Sequence, residues 1–198
     1  MWRLLSLCLA AFLVTTTAAA ADPKEGAQTK TAERPSAGLF LGATRNGDPG
    51  NGGGGSGEIG LVFDTPITKR TRLRFDASRT SWDGKEDDGR GNIMPSDTIT
   101  MTSMRVSVVS VRRHSPSYAS YSGIGLGAYR YDFARTPVTH HWQGGVHFIF
   151  GLEFLRHGEH SAVNAEVRVH ALGGPDVRPV TQAIVFKTDA VIGMKLRF

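Results

Sequence analysis

Hydrophobic and polar residues alternate along most of the chain, and the pattern is clearest at its C-terminus. Between Ile184 and Phe198, one set of alternate positions is apolar and the other carries most of the charges. Successive side chains of a β-strand point to opposite faces, whereas a helix would mix the two sets. From residue 36 onward the chain contains about eight such segments, separated by turn-rich breaks. The sequence therefore predicts an all-β fold.

Two of the segments alternate less regularly than the others. In the fourth, about residues 97–112, Ile99 and Met101 are out of phase with the apolar positions that follow, which suggests a bulge or an apolar rim. In the fifth, about residues 118–133, glycines occupy alternate positions opposite apolar residues. Aromatic residues then continue the glycine face: Tyr129, Tyr131 and Phe133. Both segments still fit strands, although their boundaries are less sharply marked.

The breaks between segments alternate between long and short. The long breaks are residues 47–56, 83–96, 134–142 and 173–181, and the short ones are residues 65–70, 113–117 and 156–160. Bacterial outer-membrane barrels have this asymmetry, with longer extracellular loops and short periplasmic turns. In such a barrel both termini of this chain would lie on the periplasmic side.

Two architectures account for strands with one apolar and one polar face. A soluble β-sandwich, or a soluble lipocalin-like periplasmic barrel that binds an apolar ligand, would turn the apolar face inward and the polar face to water. A membrane barrel turns the apolar face to lipid and the polar face to its lumen. The polar face here is rich in glycine and in charges of both signs, which suits a narrow eight-stranded lumen better than a solvent-exposed surface. We therefore predict an eight-stranded antiparallel, up-and-down transmembrane β-barrel over residues 36–198.

The charges on the polar face are expected to pair across the lumen. They are Glu58, Asp64, Asp76, Glu153, Glu166 and Asp189, with Arg72, Arg74, Arg105, Arg168, Lys187, Lys195 and Arg197. Nine of them are expected to form a network that closes the lumen: Glu58, Arg74, Asp76, Arg105, Glu153, Glu166, Arg168, Lys187 and Asp189. Because water-filled channels need about 16 strands, an open-pore function is not expected.

The first 21 residues have the pattern of a secretory signal peptide. Arg3 is followed by the apolar stretch from Leu4 to Val14 and then by small residues that end at Ala21, the expected order for a cleaved signal. Residues 22–35 are polar and aperiodic, and we expect a flexible periplasmic leader there. The single cysteine, Cys8, lies inside the signal. A mature chain without cysteine has no disulfide, no thiolate metal site and no cysteine nucleophile.

Composition alone describes an ordinary soluble domain. The 198 residues include 23 Lys and Arg against 18 Asp and Glu, a formal net charge of +5, and the mean hydropathy is −0.19. No apolar run reaches the ~18 residues of a spanning helix, but averaging conceals the alternation. The basic residues are scattered without a recognition motif, so no nucleic-acid partner is expected. A basic surface at the level of lipid headgroups fits anionic lipopolysaccharide instead.

The C-terminal sequence VIGMKLRF resembles the C-terminal signal of outer-membrane barrels. Phe198 matches its aromatic last residue, Leu196 the apolar residue two before it, and Gly193 the glycine three before that, whereas Val191 departs from a polar preference. With the signal peptide and the GIGLGAYRY stretch at residues 123–131, the chain resembles the small OmpA-like and OmpX-like outer-membrane β-barrel proteins. The resemblance implies recognition by the barrel-assembly machinery and contact with outer-membrane lipid and lipopolysaccharide. We also expect a monomer without a cofactor.

Some small outer-membrane barrels are lipid A deacylases with a Ser-His-acid triad on the lipid-facing wall. Residues 166–175 faintly resemble the deacylase strand that contains His-x-Ser, with His170 at the histidine position. The serine position is Leu172, which cannot act as a nucleophile, and the alternation turns His170 toward the lumen. This strand therefore does not predict an active site.

Five other histidines lie in predicted turns and loops. His114 precedes Ser115 in a short turn, His140 and His141 are adjacent in a long break, and a single turn contains His157, Glu159 and His160. None has the ligand number of a stable metal site. The sequence predicts a non-enzymatic outer-membrane protein with a structural or surface-interaction role. The alternatives are a lipid A-modifying hydrolase and the soluble periplasmic barrel.

Overall fold

The computed structural model describes residues 34–47, 55–87, 93–134, 141–155, 160–173, 176–177, 180–181 and 185–198. The expected signal peptide, residues 1–21, and nearly all of the expected leader, residues 22–35, lie outside these ranges. Ten β-strands occur within the described ranges. They are β1 (Ser36–Gly47), β2 (Gly55–Pro66), β3 (Thr71–Asp87), β4 (Ile93–Ser115), β5 (Tyr118–Phe133), β6 (His141–Leu155), β7 (Ser161–Leu172), β8 (Asp176–Val177), β9 (Val180–Thr181) and β10 (Val185–Arg197).

Eight of the strands close into one antiparallel barrel. Around the barrel the order is β1, β10, β7, β6, β5, β4, β3 and β2, so chain neighbours pair and β1 closes the sheet against β10. The short strands β8 and β9 form a separate hairpin before β10. Within the described ranges no helix is long and apolar enough to span a membrane. The prediction of an eight-stranded up-and-down barrel is confirmed.

The strand register fixes the tilt of the barrel. A row of paired residues that starts at Ser161 on β7 passes through Leu196, Ala37 and the other strands and returns to β7 at Ala171. One circuit is therefore displaced by ten residues along the strand. At ordinary strand spacings this offset over eight strands corresponds to a tilt of roughly 40°. A barrel of this size has an interior just wide enough for side chains to fill.

Side chains alternate between the interior and the outer surface on every barrel strand. On β7 the outward Val163 and Val167 are about half exposed, whereas the intervening Asn164, Glu166 and Arg168 are buried. The outer surface is apolar: Ile192, for example, is 66% exposed. Charged and polar side chains occupy the interior, the reverse of the arrangement in a soluble barrel. The faces expected from the alternation are the observed ones wherever side chains are described.

Two predicted breaks are partly strand in the structure. β3 continues to Asp87 and β4 begins at Ile93, so nine of residues 83–96 lie in strands, with a register shift between Asp83 and Lys85. The break at 173–181 contains the β8–β9 hairpin. Because β2 and β5 no longer pair alongside residues 83–87 and 93–97, this ribbon extends past its neighbouring strands. Residues 83–96 do not alternate in hydrophobicity, which is why the sequence predicts a break there rather than a strand.

The irregular start of the fourth segment contains no bulge against β5. Its register with β5 is continuous from Ile99 to Arg113, and Met101 faces the interior with 1% exposure. Met101 packs there with Tyr129, Tyr131 and Leu172, and Trp82 and Ile99 lie against this cluster. The phase looked wrong because the interior itself becomes apolar at this end of the barrel. The side chain of Phe133 lies outside the description.

Interior glycines make room for large side chains on the same strand or on a neighbouring strand. A Cβ at Gly125 would come within 2.7 Å of the His147 ring, and one at Gly127 within 2.7 Å of the Tyr129 ring. At Gly151 a Cβ would clash with the ring of Tyr121. The glycine excess on the inner face therefore has a steric cause.

We expect Gly151→Ala to destabilise the barrel by about 1–3 kcal/mol, the usual range for overpacking. The Tyr121 ring cannot move aside freely because ionic side chains surround it, as described below. Gly144→Ala on the same strand is the matched control, since a Cβ there would meet nothing within 4 Å. Urea unfolding of the barrel in lipid vesicles measures both variants. Equal midpoints for the two variants would contradict the steric role of Gly151.

Candidate functional site: the charged interior and the outer surface

Thirteen of the charged side chains that the structure describes are buried in the interior of the barrel. All nine residues of the expected network are among them, and four further ones join: Asp64, Arg72, Lys195 and Arg197. Each of the thirteen is at most 8% exposed. Because burying an unpaired charge is costly, six carboxylates among seven cations can remain in this interior only through mutual pairing.

One cluster of ion pairs lies toward the end of the barrel where the short turns connect the strands. Here Arg74 bridges two carboxylates, with Nε 2.7 Å from Asp64 and Nη1 2.8 Å from Glu166. Lys195 Nζ approaches Asp64 to 2.7 Å. Glu153 accepts hydrogen bonds from Arg72, at 2.9 Å, and from Arg197. The strands β2, β3, β6, β7 and β10 are thereby cross-linked through the lumen.

A second cluster lies toward the opposite end, where the long connections are. Arg105 forms ion pairs with Asp76 and with Glu58, the latter at 3.3 Å. Lys187 Nζ lies 2.9 Å from Asp189 and 3.5 Å from Glu58. The two clusters are joined by Arg168, whose guanidinium pairs with Asp76 at 3.4 Å and with Glu166. The nine residues expected to form the network thus lie in two connected groups.

Aromatic rings take part in the network and were not assigned a role from the sequence. The Tyr121 hydroxyl donates to Glu166 at 2.6 Å, and its ring faces the Arg74 guanidinium at 4.9 Å. The Phe40 ring lies 4.2 Å from the guanidinium of Arg168, a cation–π geometry. Both rings share the phase of their strands' polar face. That phase is the sequence signal that identifies an aromatic residue inside a polar lumen.

Two interior histidines connect the second cluster to the barrel wall. The rings of His147 and His170 stack with their centroids 5.5 Å apart and an interplanar angle of 29°. A nitrogen of His170 lies 2.7 Å from Asp189, and its other nitrogen is 3.1 Å from the Tyr129 hydroxyl. His147 is hydrogen-bonded to Ser107 at 2.8 Å. His170 therefore faces the lumen, as its strand phase predicts, and so does Leu172.

The structure describes the side chains of two other candidate histidines, His114 and His160. His114 is hydrogen-bonded to Ser120 at 2.7 Å rather than to its neighbour Ser115. His140, His157 and Glu159 lie outside the described residues, and His160 is exposed. In the part of the chain that the structure describes, no three His, Cys, Asp or Glu residues are grouped as a metal site would require.

The outward side chains form an uncharged band between two charged ends. On β7 the outward positions from Ser161 to Ala171 carry no charge, and ten residues tilted by roughly 40° rise roughly 25 Å. The outward charged side chains on the described strands lie near the two ends of the barrel. They are Arg45, Arg79, Arg112, Arg130 and Asp132. A band of this height matches the apolar girdle of a transmembrane barrel.

Aromatic residues lie near both edges of the band. On β6 the outward Trp142 is near one edge and Phe154 near the other, and Phe154 packs against Tyr118 with ring centroids 5.5 Å apart. Aromatic girdles at two interfaces are a feature of outer-membrane barrels.

Comparison with solved structures shows the fold of small bacterial outer-membrane barrels. Neisserial surface protein A has 13% identity and a TM-score of 0.64, covering 83% of this chain and 97% of that one. The attachment invasion locus protein Ail of Yersinia pestis has 13% identity and a TM-score of 0.57, covering 84% of this chain and 100% of that one. The outer-membrane protein OprG of Pseudomonas aeruginosa has 14% identity and a TM-score of 0.58, covering 84% of this chain and 98% of that one. No family model and no curated protein matches the chain.

Arg74→Met is expected to lower the free energy of unfolding by at least about 3 kcal/mol, because it removes the cation that bridges two buried carboxylates. Arg130→Met is the control, since Arg130 pairs with Asp132 at 3.0 Å where both side chains are over one-third exposed. An exposed pair contributes at most about 1 kcal/mol. Urea unfolding in lipid vesicles compares the two variants, and similar losses would argue against a stabilising lumen network.

Proposed function

We propose that the chain is an integral outer-membrane β-barrel protein with a non-enzymatic structural or surface-interaction role. The observation that most strongly supports this proposal is the closed, uncharged outer band, roughly 25 Å tall, around an interior of paired charges. In a bilayer every backbone polar group must be satisfied within the protein, which a closed barrel achieves. The apolar band then faces lipid, and the charged residues stay in the lumen.

The soluble periplasmic alternative is disfavoured by the same two faces. Leu39, Leu41 and Ile192 are each more than 60% exposed, and a contiguous apolar surface of this extent is unusual for a protein in water. An apolar ligand would also need an apolar cavity. Ion pairs occupy the middle of this interior instead.

The proposed orientation has the short turns in the periplasm and the long connections at the cell surface. The described ends of the barrel, Ser36 and Arg197, pair with each other at the end that carries the short turns. A signal peptide over residues 1–21 would export the chain to the periplasm, from which it inserts as a monomer. A surface-interaction role would then belong to the long connections.

Recognition by the barrel-assembly machinery is proposed for the end of β10. Leu196 and Phe198 are 57% and 65% exposed on the outer surface, so both side chains are accessible to a protein partner. Gly193 faces inward, where a Cβ would meet the Asn164 side chain at 2.7 Å. Membrane lipid and lipopolysaccharide are the other proposed partners, and no nucleic acid is proposed.

Cell fractionation tests the proposed location. The protein is expected in the outer-membrane fraction, released by detergent but not by high salt or urea, and migrating faster on unboiled gels than on boiled ones. The controls are a periplasmic marker protein, which is released when spheroplasts are formed, and an inner-membrane marker protein. Release of the protein without detergent would refute the proposal and favour the soluble alternative.

Deleting Phe198 tests the assembly role in the same fractions. We expect less heat-modifiable protein in the outer membrane because the outward aromatic end of the signal is lost. Arg197→Ala is a poorer control because Arg197 pairs with Glu153, so Ile67→Ala, in an exposed turn, serves instead. Normal amounts of folded barrel after the deletion would contradict the role of Phe198.

The hydrolase alternative rests on serine–histidine hydrogen bonds. The Ser107–His147 pair is buried in the lumen, and His147 Nδ1 has no hydrogen-bond partner among the described residues. The Ser120–His114 pair is exposed on the outer surface, and His114 stacks on Tyr118 at 5.1 Å. It lies at the end with the short turns, where the proposed orientation puts phospholipid rather than lipid A. A triad needs a group that orients the base, and no described carboxylate bonds to His114.

Mass spectrometry of lipids incubated with the purified barrel separates these functions. We expect no release of acyl chains from lipopolysaccharide or phosphatidylglycerol, by either the wild-type protein or Ser120→Ala. Acyl release by the wild-type protein that Ser120→Ala abolishes would overturn the non-enzymatic proposal.

A further inference from the structure

Two outward arginines near the end with the long connections lie at an edge of the uncharged band. Arg45 on β1 and Arg79 on β3 are exposed, and neither forms an ion pair or hydrogen bond with another described side chain. Arg130, by contrast, is paired with Asp132. A guanidinium at the edge of an apolar band, with no neighbouring carboxylate, has its donors available to an anionic group from outside the protein.

Gly57 on β2 lies between the two arginines. It pairs with Ala43, two residues from Arg45, and Ile59, two residues from Gly57, pairs with Arg79. Both arginines are therefore diagonal neighbours of Gly57, at roughly 7–8 Å, a separation that long side chains bridge. A Cβ at Gly57 would meet nothing within 4 Å. The surface is open at the position toward which both guanidinium groups can extend.

Hydroxyl groups flank the same three residues. Arg45 pairs with Thr188 on β10, and Arg79 pairs with Thr102 on β4. The five residues Arg45, Gly57, Arg79, Thr102 and Thr188 thus form one outward patch across five neighbouring strands, which we call the loop-end patch. No described acidic side chain faces outward between its two arginines.

We propose that the loop-end patch binds the phosphate groups of a lipid headgroup seated over Gly57. The proposal rests on the proposed outer-membrane location, which brings this patch to the outer-leaflet headgroups. The arginine fork matches phosphate oxygens bidentately, and two forks on opposite sides of an open position suit a headgroup with two phosphates. The threonine hydroxyls add donors at the flanks. Bisphosphorylated lipid A and an anionic phospholipid are the two sources of this chemistry.

The test is a lipid titration of the full-length purified barrel in dodecyl maltoside micelles, read by native mass spectrometry. The probes are bisphosphorylated lipid A, monophosphorylated lipid A and phosphatidylglycerol. Arg45→Gln with Arg79→Gln is expected to weaken lipid A binding roughly tenfold, since charge-assisted hydrogen bonds are lost. Gly57→Leu retains both charges but fills the open position, and it is expected to weaken binding to a similar extent. Arg112→Gln, at the opposite end, is the matched control and should change nothing.

A preference for bisphosphorylated lipid A supports the proposal with lipopolysaccharide as the source. Equal binding of phosphatidylglycerol, with the same losses in the variants, supports it with phospholipid as the source. Unchanged binding in the double variant or in Gly57→Leu, or an equal loss in Arg112→Gln, overturns it. These results are independent of location: a barrel found outside the outer membrane overturns the proposed function, whereas failed binding by a correctly located, heat-modifiable barrel overturns the loop-end patch alone.

Discussion

Closure of the sheet by the pairing of β1 with β10 is the constraint on which the rest of the structure depends. With eight strands and a ten-residue offset, closure leaves an interior that only side chains fill. Alternate residues of every strand must point into that space. Their charges have little room for water, so each carboxylate lies beside a cation, as Asp64 does between Arg74 and Lys195. The ion pairs are thus a consequence of barrel size.

The same narrow interior accounts for the glycines and aromatic rings that accompany the charges. Tyr121 crosses toward Gly151 and extends its hydroxyl to Glu166, so one ring fills space and completes a polar contact. Phe40 also fills space, and the guanidinium of Arg168 lies over the face of its ring. A long cation and a flat ring pack well together because the ring supports the guanidinium without requiring a hydrogen bond. Glycines beside the large side chains leave the space that those side chains occupy inside the barrel.

Alternation was sufficient to predict the face of every described side chain on β7 and β10, because the outer surface is apolar and the lumen is charged there. It failed where that contrast disappears. The ribbon of residues 83–87 and 93–97 extends past its neighbouring strands, and Met101 enters an apolar layer inside the lumen. Which carboxylate pairs with which cation could also not be predicted from the sequence. Arg74 meets Glu166, 92 residues away in sequence, only through the register and tilt of the closed sheet, which no local pattern encodes.

Arginine has opposite roles on the two faces of this barrel, and the distribution of charge explains why. Among the described side chains, six buried carboxylates face seven buried cations in the interior. The outward charged side chains that the structure describes on the barrel strands are four arginines and one aspartate, and they lie near the ends of the apolar band. Charges at the centre of a lipid-facing wall are destabilising, and the cost falls toward the interfaces. At the proposed membrane location, arginines at those edges would face the headgroup regions, where phosphate would provide the anion that the lumen carboxylates provide inside.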